Sequence, residues 1–275
     1  ERGAEVKCIM WLDDATFVVG YFSGGVEIWS APMGEIVARF IGHERAVTAL
    51  TLLNHDEIKN ARTSVYVVSG SKDKTIRVWR LDDSLGRECA TLTGHADGIT
   101  SLAFAPTTNE LFSAAGKEIR CWSCAPGYPL QYTLNTDHTA PVSSIALASD
   151  LSFMISASLD GIMRLWLFTM KDAATRSSGG GTKYQRDYGI DDATSGFASM
   201  DATSYRGASS NSGSNRGFKS KSLTSAPPAV TLELRGHLGD ITCTACTQNG
   251  NMFASGGIDQ SIMMWEPKKG KHIGM

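Results

Sequence analysis

Short stretches in which apolar and polar residues alternate recur along the chain. Five of them close on a tryptophan: VEIW at Trp29, TIRVW at Trp79, EIRCW at Trp122, IMRLW at Trp166 and SIMMW at Trp265. Alternation places successive side chains on opposite faces, and β-branched residues bounded by Gly, Asp and Ser predict short antiparallel strands. The tryptophans lie 50, 43, 44 and 99 residues apart, so the last interval holds one repeat and a long insertion. A period of this length marks stacked supersecondary units.

A histidine precedes four of the tryptophans, in Gly42-His43, Gly94-His95, Asp137-His138 and Gly236-His237, at distances of 36, 27, 28 and 28 residues. Between histidine and tryptophan lies a strand end of small residues followed by a turn. Examples are Val67 to Asp73 (VVSGSKD) before Thr75 and Phe253 to Asp259 (FASGGID) before Gln260. On these residues the chain resembles the WD-repeat family. The resemblance implies an all-β fold, a β-propeller of four-stranded antiparallel blades around a central channel. It also implies a buried hydrogen-bonded set of loop His, strand Ser, turn Asp and Trp in each blade. Here those sets are His43, Ser69, Asp73 and Trp79; His138, Ser156, Asp160 and Trp166; and His237, Ser255, Asp259 and Trp265. A buried indole N–H and a buried imidazole each need a partner, and a carboxylate holding the imidazole ties two loops to a strand. Two repeats depart from the pattern: Gly116 stands at the Asp position before Trp122, and Ser23 before Trp29. These two blades are expected to be less rigid.

Five blades are readable, from a first strand at Val6 to Leu12 to a last strand near His272 to Met275. Because rings in the resembled family commonly have seven blades, about two are expected to be lacking from this chain or supplied elsewhere. An unclosed ring leaves open sheet faces. The predicted organisation is residues 1–170 as blades 1 to 4, 171–229 as an insertion between the third and fourth strands of blade 4, and 230–275 as the last strand of blade 4 with blade 5. A shorter insertion, Asn54 to Ser64, falls between the first and second strands of blade 2. Strand alternation puts both insertions on one side, opposite the histidine loops.

The long insertion is rich in Ser, Gly, Thr and Asn and poor in aliphatic residues, which predicts disorder. It carries eight Lys or Arg against five Asp, with Tyr184, Tyr188, Phe197, Tyr205 and Phe218 scattered through it. Three readings stand open: a solvated loop, a docking or phosphorylated segment, and single-stranded RNA contact through Arg206-Gly207 and Arg216-Gly217.

Composition narrows the function classes. With 42% hydrophobic and 20% charged residues the chain is that of a globular protein, and no run of eighteen apolar residues reads as a membrane span. A net charge of −2 predicts no general attraction to nucleic acid or anionic membrane, leaving RNA contact to the insertion alone. Six sparse cysteines read as free thiols in a reducing compartment, so the expected location is intracellular, cytoplasmic or nuclear. The first residue, Glu1, leaves open a removed leader or a longer protein.

Cys121 with Cys124 and Cys243 with Cys246 form two C-x-x-C pairs. Both are read as lying in strands, where residues three apart face opposite ways, which disfavours zinc or redox chemistry. Periodic recurrence gives the loop histidines a structural reading, and no nucleophile, metal-protease or phosphate-loop motif stands in a suitable setting. The expectation is therefore a non-enzyme without metal, cofactor or small-molecule substrate, a scaffold that binds other proteins. Its candidate contacts, at or beside the loops between second and third strands and between blades, are Tyr21, Phe22, Arg45, Lys72, Lys74, Lys117, Leu159 and Gln260. Two rival readings are a subunit of a ribonucleoprotein or ribosome-assembly complex and a propeller appended to a larger enzyme or regulatory protein.

Overall fold

A computed structural model of the chain describes residues 5–55, 64–81, 87–148, 151–168, 228–247, 250–267 and 271–274. The regular structure among them is entirely strand, arranged in five four-stranded antiparallel sheets whose strands follow one another in sequence. The first sheet comprises β1 (Val6–Trp11), β2 (Thr16–Tyr21), β3 (Val26–Ser30) and β4 (Glu35–Phe40). The second comprises β5 (Val47–His55), β6 (Ser64–Ser71), β7 (Ile76–Arg80) and β8 (Arg87–Leu92). The third comprises β9 (Ile99–Ala105), β10 (Glu110–Ala115), β11 (Glu118–Ser123) and β12 (Leu130–Asn135). The fourth comprises β13 (Val142–Leu147), β14 (Phe153–Ser158), β15 (Ile162–Leu167) and β16 (Ala229–Arg235). The fifth comprises β17 (Ile241–Cys246), β18 (Phe253–Gly257), β19 (Ile262–Glu266) and β20 (Lys271–Gly274).

Strands reach slightly into both expected insertions: Asn54 and His55 belong to β5, Ser64 to β6 and Ala229 to β16. The remainder, residues 56–63 and 171–227, lies outside the described residues, including the scattered aromatics and the Arg-Gly pairs.

Successive sheets pack face on face as the blades of a propeller, with their first strands side by side. Each interface is a separate apolar cluster, and each contains the tryptophan of the later sheet. Val18, Val26, Ile28 and Phe40 of the first sheet meet Val47, Val67 and Trp79 of the second. Trp122, Trp166 and Trp265 take the same place in the next three interfaces. All four indoles are 2–4% exposed. Trp29, which has no preceding sheet among the described residues, is only half-buried.

The innermost contact repeats closely. The first residue of each inner strand inserts toward the second strand of the sheet before it. Val47, Ile99, Val142 and Ile241 are each 0% exposed. A methyl group on Gly70 would lie 2.5 Å from Ile99 Cγ2, and one on Gly20 would lie 2.7 Å from Val47 Cγ1. These glycines make notches for the β-branched residues. The residue after each insert secures the next blade: Thr48 Oγ1 donates to Ile99 O at 2.5 Å and Thr100 Oγ1 to Val142 O at 2.7 Å, while Ser143 Oγ donates to Ile241 O. Between the first and second sheets the Cys8 thiol points to Val47 O at 3.5 Å.

The two C-x-x-C pairs are not alike. Cys121 lies in β11 and faces the fourth sheet, whereas Cys124 follows the strand and joins the cluster with the second. Cys124 was expected within a strand; β11 ends one residue before it because the chain turns there, with Cys124 N donating to Asn109 O. Burial pushes the Cys124 thiol up to about 12 and the Cys121 thiol well above the ordinary range. Cys243 and Cys246 both lie within β17, and none of the six cysteines is in a disulfide.

Candidate functional site

The loops between blades and the turns between second and third strands meet at one end of the sheets, where a histidine links them. In the second sheet the chain of bonds has one consistent proton order. Trp79 Nε1–H donates to Ser69 Oγ at 2.8 Å, and Ser69 Oγ lies 2.8 Å from His43 Nε2. His43 Nδ1 lies 2.8 Å from Asp73 Oδ2, and a carboxylate only accepts, so Nδ1 carries the proton. A neutral imidazole then accepts the serine hydroxyl at Nε2. Asp73 also receives the amides of Glu44 (3.1 Å) and Thr75 (2.9 Å), tying the inter-blade loop to the turn.

The same set recurs at His138, Ser156, Asp160 and Trp166, where the His contacts are 2.9 Å to Asp160 and 3.0 Å to Ser156, and the indole lies 3.0 Å from Ser156. It recurs again at His237, Ser255, Asp259 and Trp265, at 2.9, 2.7 and 2.8 Å. The amides of Thr139 and Leu238 donate to Asp160 and Asp259, as Glu44 does to Asp73.

The third sheet holds a fourth set. His95 Nε2 lies 2.7 Å from Ser113 Oγ, which receives Trp122 Nε1–H at 2.8 Å, and His95 Nδ1 lies 2.8 Å from Glu118 Oε1. The sequence reading placed Gly116 at the carboxylate position and expected a weakened blade; the carboxylate instead comes from the first residue of β11. The turn is one residue shorter, and Glu118, with one more methylene than Asp, spans the difference. The signal was present in the sequence as an acidic residue two positions beyond the glycine.

The first sheet differs. Glu27 accepts from Tyr21 Oη at 2.8 Å and from Trp29 Nε1 at 3.1 Å and pairs with Arg39 at 3.0 Å, so the indole is satisfied by its own strand. A cavity of about 300 Å³ opens beside these residues, bordered also by Ser23 and Ile41.

Burial holds the imidazoles of His43, His95 and His138 below the ordinary value of 6.5, against the pull of the neighbouring carboxylates. Burial also opposes ionisation of Asp73 and Asp160. Hydrogen bonds from Thr75 and His43, and from Ile162 and His138, outweigh it and keep both carboxyls below the ordinary range. In Asp259 the Ser261 hydroxyl leads the same depression. The sets of His43, His95 and His138 hold neutral histidine against carboxylate, an arrangement suited to bracing loops.

The eight candidate contact residues are distributed over the loops of all five sheets rather than gathered in one patch. Tyr21 is half-buried and spends its hydroxyl on Glu27, while Phe22 is 58% exposed beneath the Lys7 ammonium. Arg45, Lys72, Lys74, Lys117, Leu159 and Gln260 are exposed. Lys74 and Gln260 occupy the left-handed position of their turns, with φ of 73° and 64°. Sequence reasoning missed Ile41, Leu238 and Ile258 on the same loops, 86, 95 and 61% exposed. Leu238 directly follows a set histidine, and its own amide is pinned to Asp259. An apolar residue in a loop fixed by its backbone was the signal available.

Among the described residues no group of three or more His, Cys, Asp or Glu is placed to hold a metal, and no helix is long and apolar enough to cross a membrane.

Residues 34–80, 86–123, 129–166 and 229–266 match the family described as WD domain, G-beta repeat. Each match takes in the last strand of one sheet and the first three of the next; β1, β2 and β3 fall outside it, as does β20. The chain is similar to nuclear distribution protein PAC1-1 of Uncinocarpus reesii, 29% identical over 161 residues, covering 54% of this chain and 35% of the relative. Nuclear distribution protein nudF of Aspergillus terreus is 31% identical over 150 residues, covering 50% and 33%. Human WD repeat and SOCS box-containing protein 1 is 31% identical over 112 residues, covering 40% and 25%. The chain thus matches about a third of the length of the fungal relatives and a quarter of the human one.

Proposed function

The chain belongs to the WD-repeat family, and from that premise we propose that it is a non-catalytic scaffold binding other proteins through the loops at the histidine-bearing end of its blades. The observation that carries this reading is the coupling of exposure with fixation. The four His-Ser-carboxylate-Trp sets anchor the loops from below, so that Arg45, Lys72, Lys117 and Leu238 project from backbone that is already ordered. Preorganised loops lose little freedom on binding, and exposed Arg, aromatic and large apolar residues supply the anchors that binding hot spots use. The similar nuclear distribution proteins and the SOCS box-containing protein bear names that specify no reaction, which accords with a scaffold. We place the protein inside the cell, because six cysteines without a disulfide among them suit a reducing compartment.

The experiment replaces Phe22, Arg45, Lys72, Lys74, Lys117, Leu159 and Gln260 together by alanine and compares affinity-purified partners with those of the unaltered protein by quantitative mass spectrometry. Loss of at least one partner with an unchanged melting temperature is expected. An undiminished set of partners overturns the assignment of this face.

A further inference from the structure

The connections between strands at the histidine-bearing end all lie among the described residues, and their exposed side chains change character along the series of sheets. The loop leading into the second sheet and the turns of the second and third sheets carry four exposed cations, Arg45, Lys72, Lys74 and Lys117. Arg77 and Arg120 of the strands below are paired, with Glu88 and Glu118, but among the described residues none of the four loop cations has an ionic partner. Glu44 and Asp97 are the exposed acids of these connections, and Asp97 Oδ2 lies against Gly116 rather than on a lysine. Lys72 N donates to Ala46 O at 2.8 Å and Ser71 Oγ to Arg45 O at 3.0 Å, which sets Lys72 beside the Arg45 loop. A methyl group on Gly98 would lie 2.8 Å from Lys72 Cδ, so the lysine stem crosses onto the loop that enters the third sheet.

The connections of the fourth and fifth sheets are of the opposite kind. Residues 136–141, 159–161, 236–240 and 258–261 include no Lys or Arg. Their exposed large apolar side chains are Leu159, Leu238 and Ile258. These stand on touching loops: a methyl group on Gly239 would lie 2.9 Å from Ile258 Cγ1, and one on Gly161 would lie 3.1 Å from Gly239 O.

We propose that this end binds an extended segment of a partner protein that bears Asp or Glu residues over the second and third sheets and a large aliphatic residue over the fourth and fifth. The inference rests on the reading of these loops as the binding surface and adds which partner they select. A run of acids meets four cations that have no carboxylate of their own, and the neighbouring cation-free loops offer apolar cover to an aliphatic side chain. Sheets packed face to face stand about 10 Å apart, so the step from the turn of the second sheet to that of the fourth is roughly 20 Å. An extended chain covers it in about six residues, at about 3.3 Å each. The direction is fixed, because a reversed segment would lay its acids beside Asp137 and Asp240.

Three other ligands fit less well. A phosphate group is held by donors that converge on one point, whereas these cations sit on separate loops and turns and match several carboxylates. A nucleic-acid strand needs cations along its whole track, and the connections of the fourth and fifth sheets supply none. The chain's own insertion between β15 and β16 carries eight Lys or Arg against five Asp and would be repelled.

A phage library of random twelve-residue peptides is selected on the 275-residue protein at low salt. Retained peptides are expected to carry two or more Asp or Glu and, about six residues away, a Leu, Ile or Met. The tightest is synthesised and titrated by fluorescence anisotropy. Arg45→Glu with Lys72→Glu is expected to weaken it at least about tenfold at about 50 mM salt, and by no more than about threefold at about 500 mM, where exposed charges are screened. Leu238→Asp is expected to weaken it at least about tenfold at both. Arg45→Gln with Lys72→Gln acts in the same direction and replaces the Glu pair if that pair lowers the melting temperature.

Retained peptides without acidic residues, or without the spacing, overturn this inference. If Leu238→Asp still weakens them, the loops remain the binding surface and only the partner class falls. Peptides that bind every variant equally overturn both readings. Replacing one acid by phosphoserine with a gain of more than about tenfold assigns the site to phosphate, and displacement of the peptide by an equal concentration of a twelve-nucleotide oligouridylate assigns it to nucleic acid. Either result sinks the proposal. A library from which nothing is retained does so too, and the partner comparison after alanine replacement then decides the broader reading alone.

Discussion

A serine hydroxyl between an indole and an imidazole is the smallest unit on which a blade depends. Ser69 is 0% exposed and serves two buried groups, so its loss strands both Trp79 Nε1 and His43 Nε2. Ser69→Ala is expected to lower stability by about 1–3 kcal/mol, the cost of unsatisfied buried polar groups, seen as a lower urea midpoint with unchanged slope. The same logic assigns Glu118 a role that its sequence position conceals. Glu118→Ala is expected to destabilise the protein about as much as Asp160→Ala, because each removes the acceptor of a histidine Nδ1–H. Melting curves indistinguishable from the unaltered protein for Glu118→Ala, beside a clear drop for Asp160→Ala, would show that the third set is not held by its carboxylate.

At the scale of the element, one position in each inner strand decides whether neighbouring sheets lock. Val142 and Val6 share a residue type and a register, yet the first is fully buried against the third sheet and the second is half exposed. Val142→Ala is expected to cost about 2 kcal/mol in the 275-residue chain, from lost burial and a residual cavity. Val6→Ala in the same chain is expected to stay within about 0.5 kcal/mol. Parallel chemical denaturation of the two variants checks the pair, and equal losses would refute the difference in packing. The second strands show why alternation is an incomplete guide. In β10 and β14 every residue is buried, because blades cover both faces. Such strands read as ELFSAA and FMISAS, apolar and small without a polar face. The Gly, Ala and Ser among them are notches and hydrogen-bond partners as much as strand formers.

Across the whole molecule, the neutral histidines make stability depend on pH. His43, His95 and His138 have folded values below 6.5, so on acidification the unfolded chain binds protons before the folded one does. Their contribution is therefore complete above about pH 7 and is lost as pH falls through 6.5 toward the folded values, at up to about 1.4 kcal/mol per pH unit for each histidine. Protonation puts a second N–H against the serine oxygen and leaves its hydroxyl without an acceptor. Below the ordinary carboxyl value of 3.8, Asp73 and Asp160 add a further loss as they are forced to protonate. The melting temperature is expected to fall between pH 7 and pH 5, more shallowly in His138→Asn. A melting temperature flat across that range contradicts neutral buried histidines.

What the sequence determined by itself was the repeat: five tryptophans at the ends of alternating segments, and three full His, Ser, Asp and Trp sets. Strand periodicity and fixed spacing within one supersecondary unit are local properties, written wherever the unit recurs. Strand bounds, the position of Cys124 and the carboxylate of the third blade were beyond it. A shortened turn lets Glu118 reach where the aligned position holds glycine, and reach is a matter of three-dimensional distance. Only the tertiary structure decided which tryptophans are covered, which β-branched residues fill notches and which stand bare. Two positions identical in residue and register, Val142 and Val6, differ there because, among the described residues, a neighbouring sheet packs on the first and not on the second.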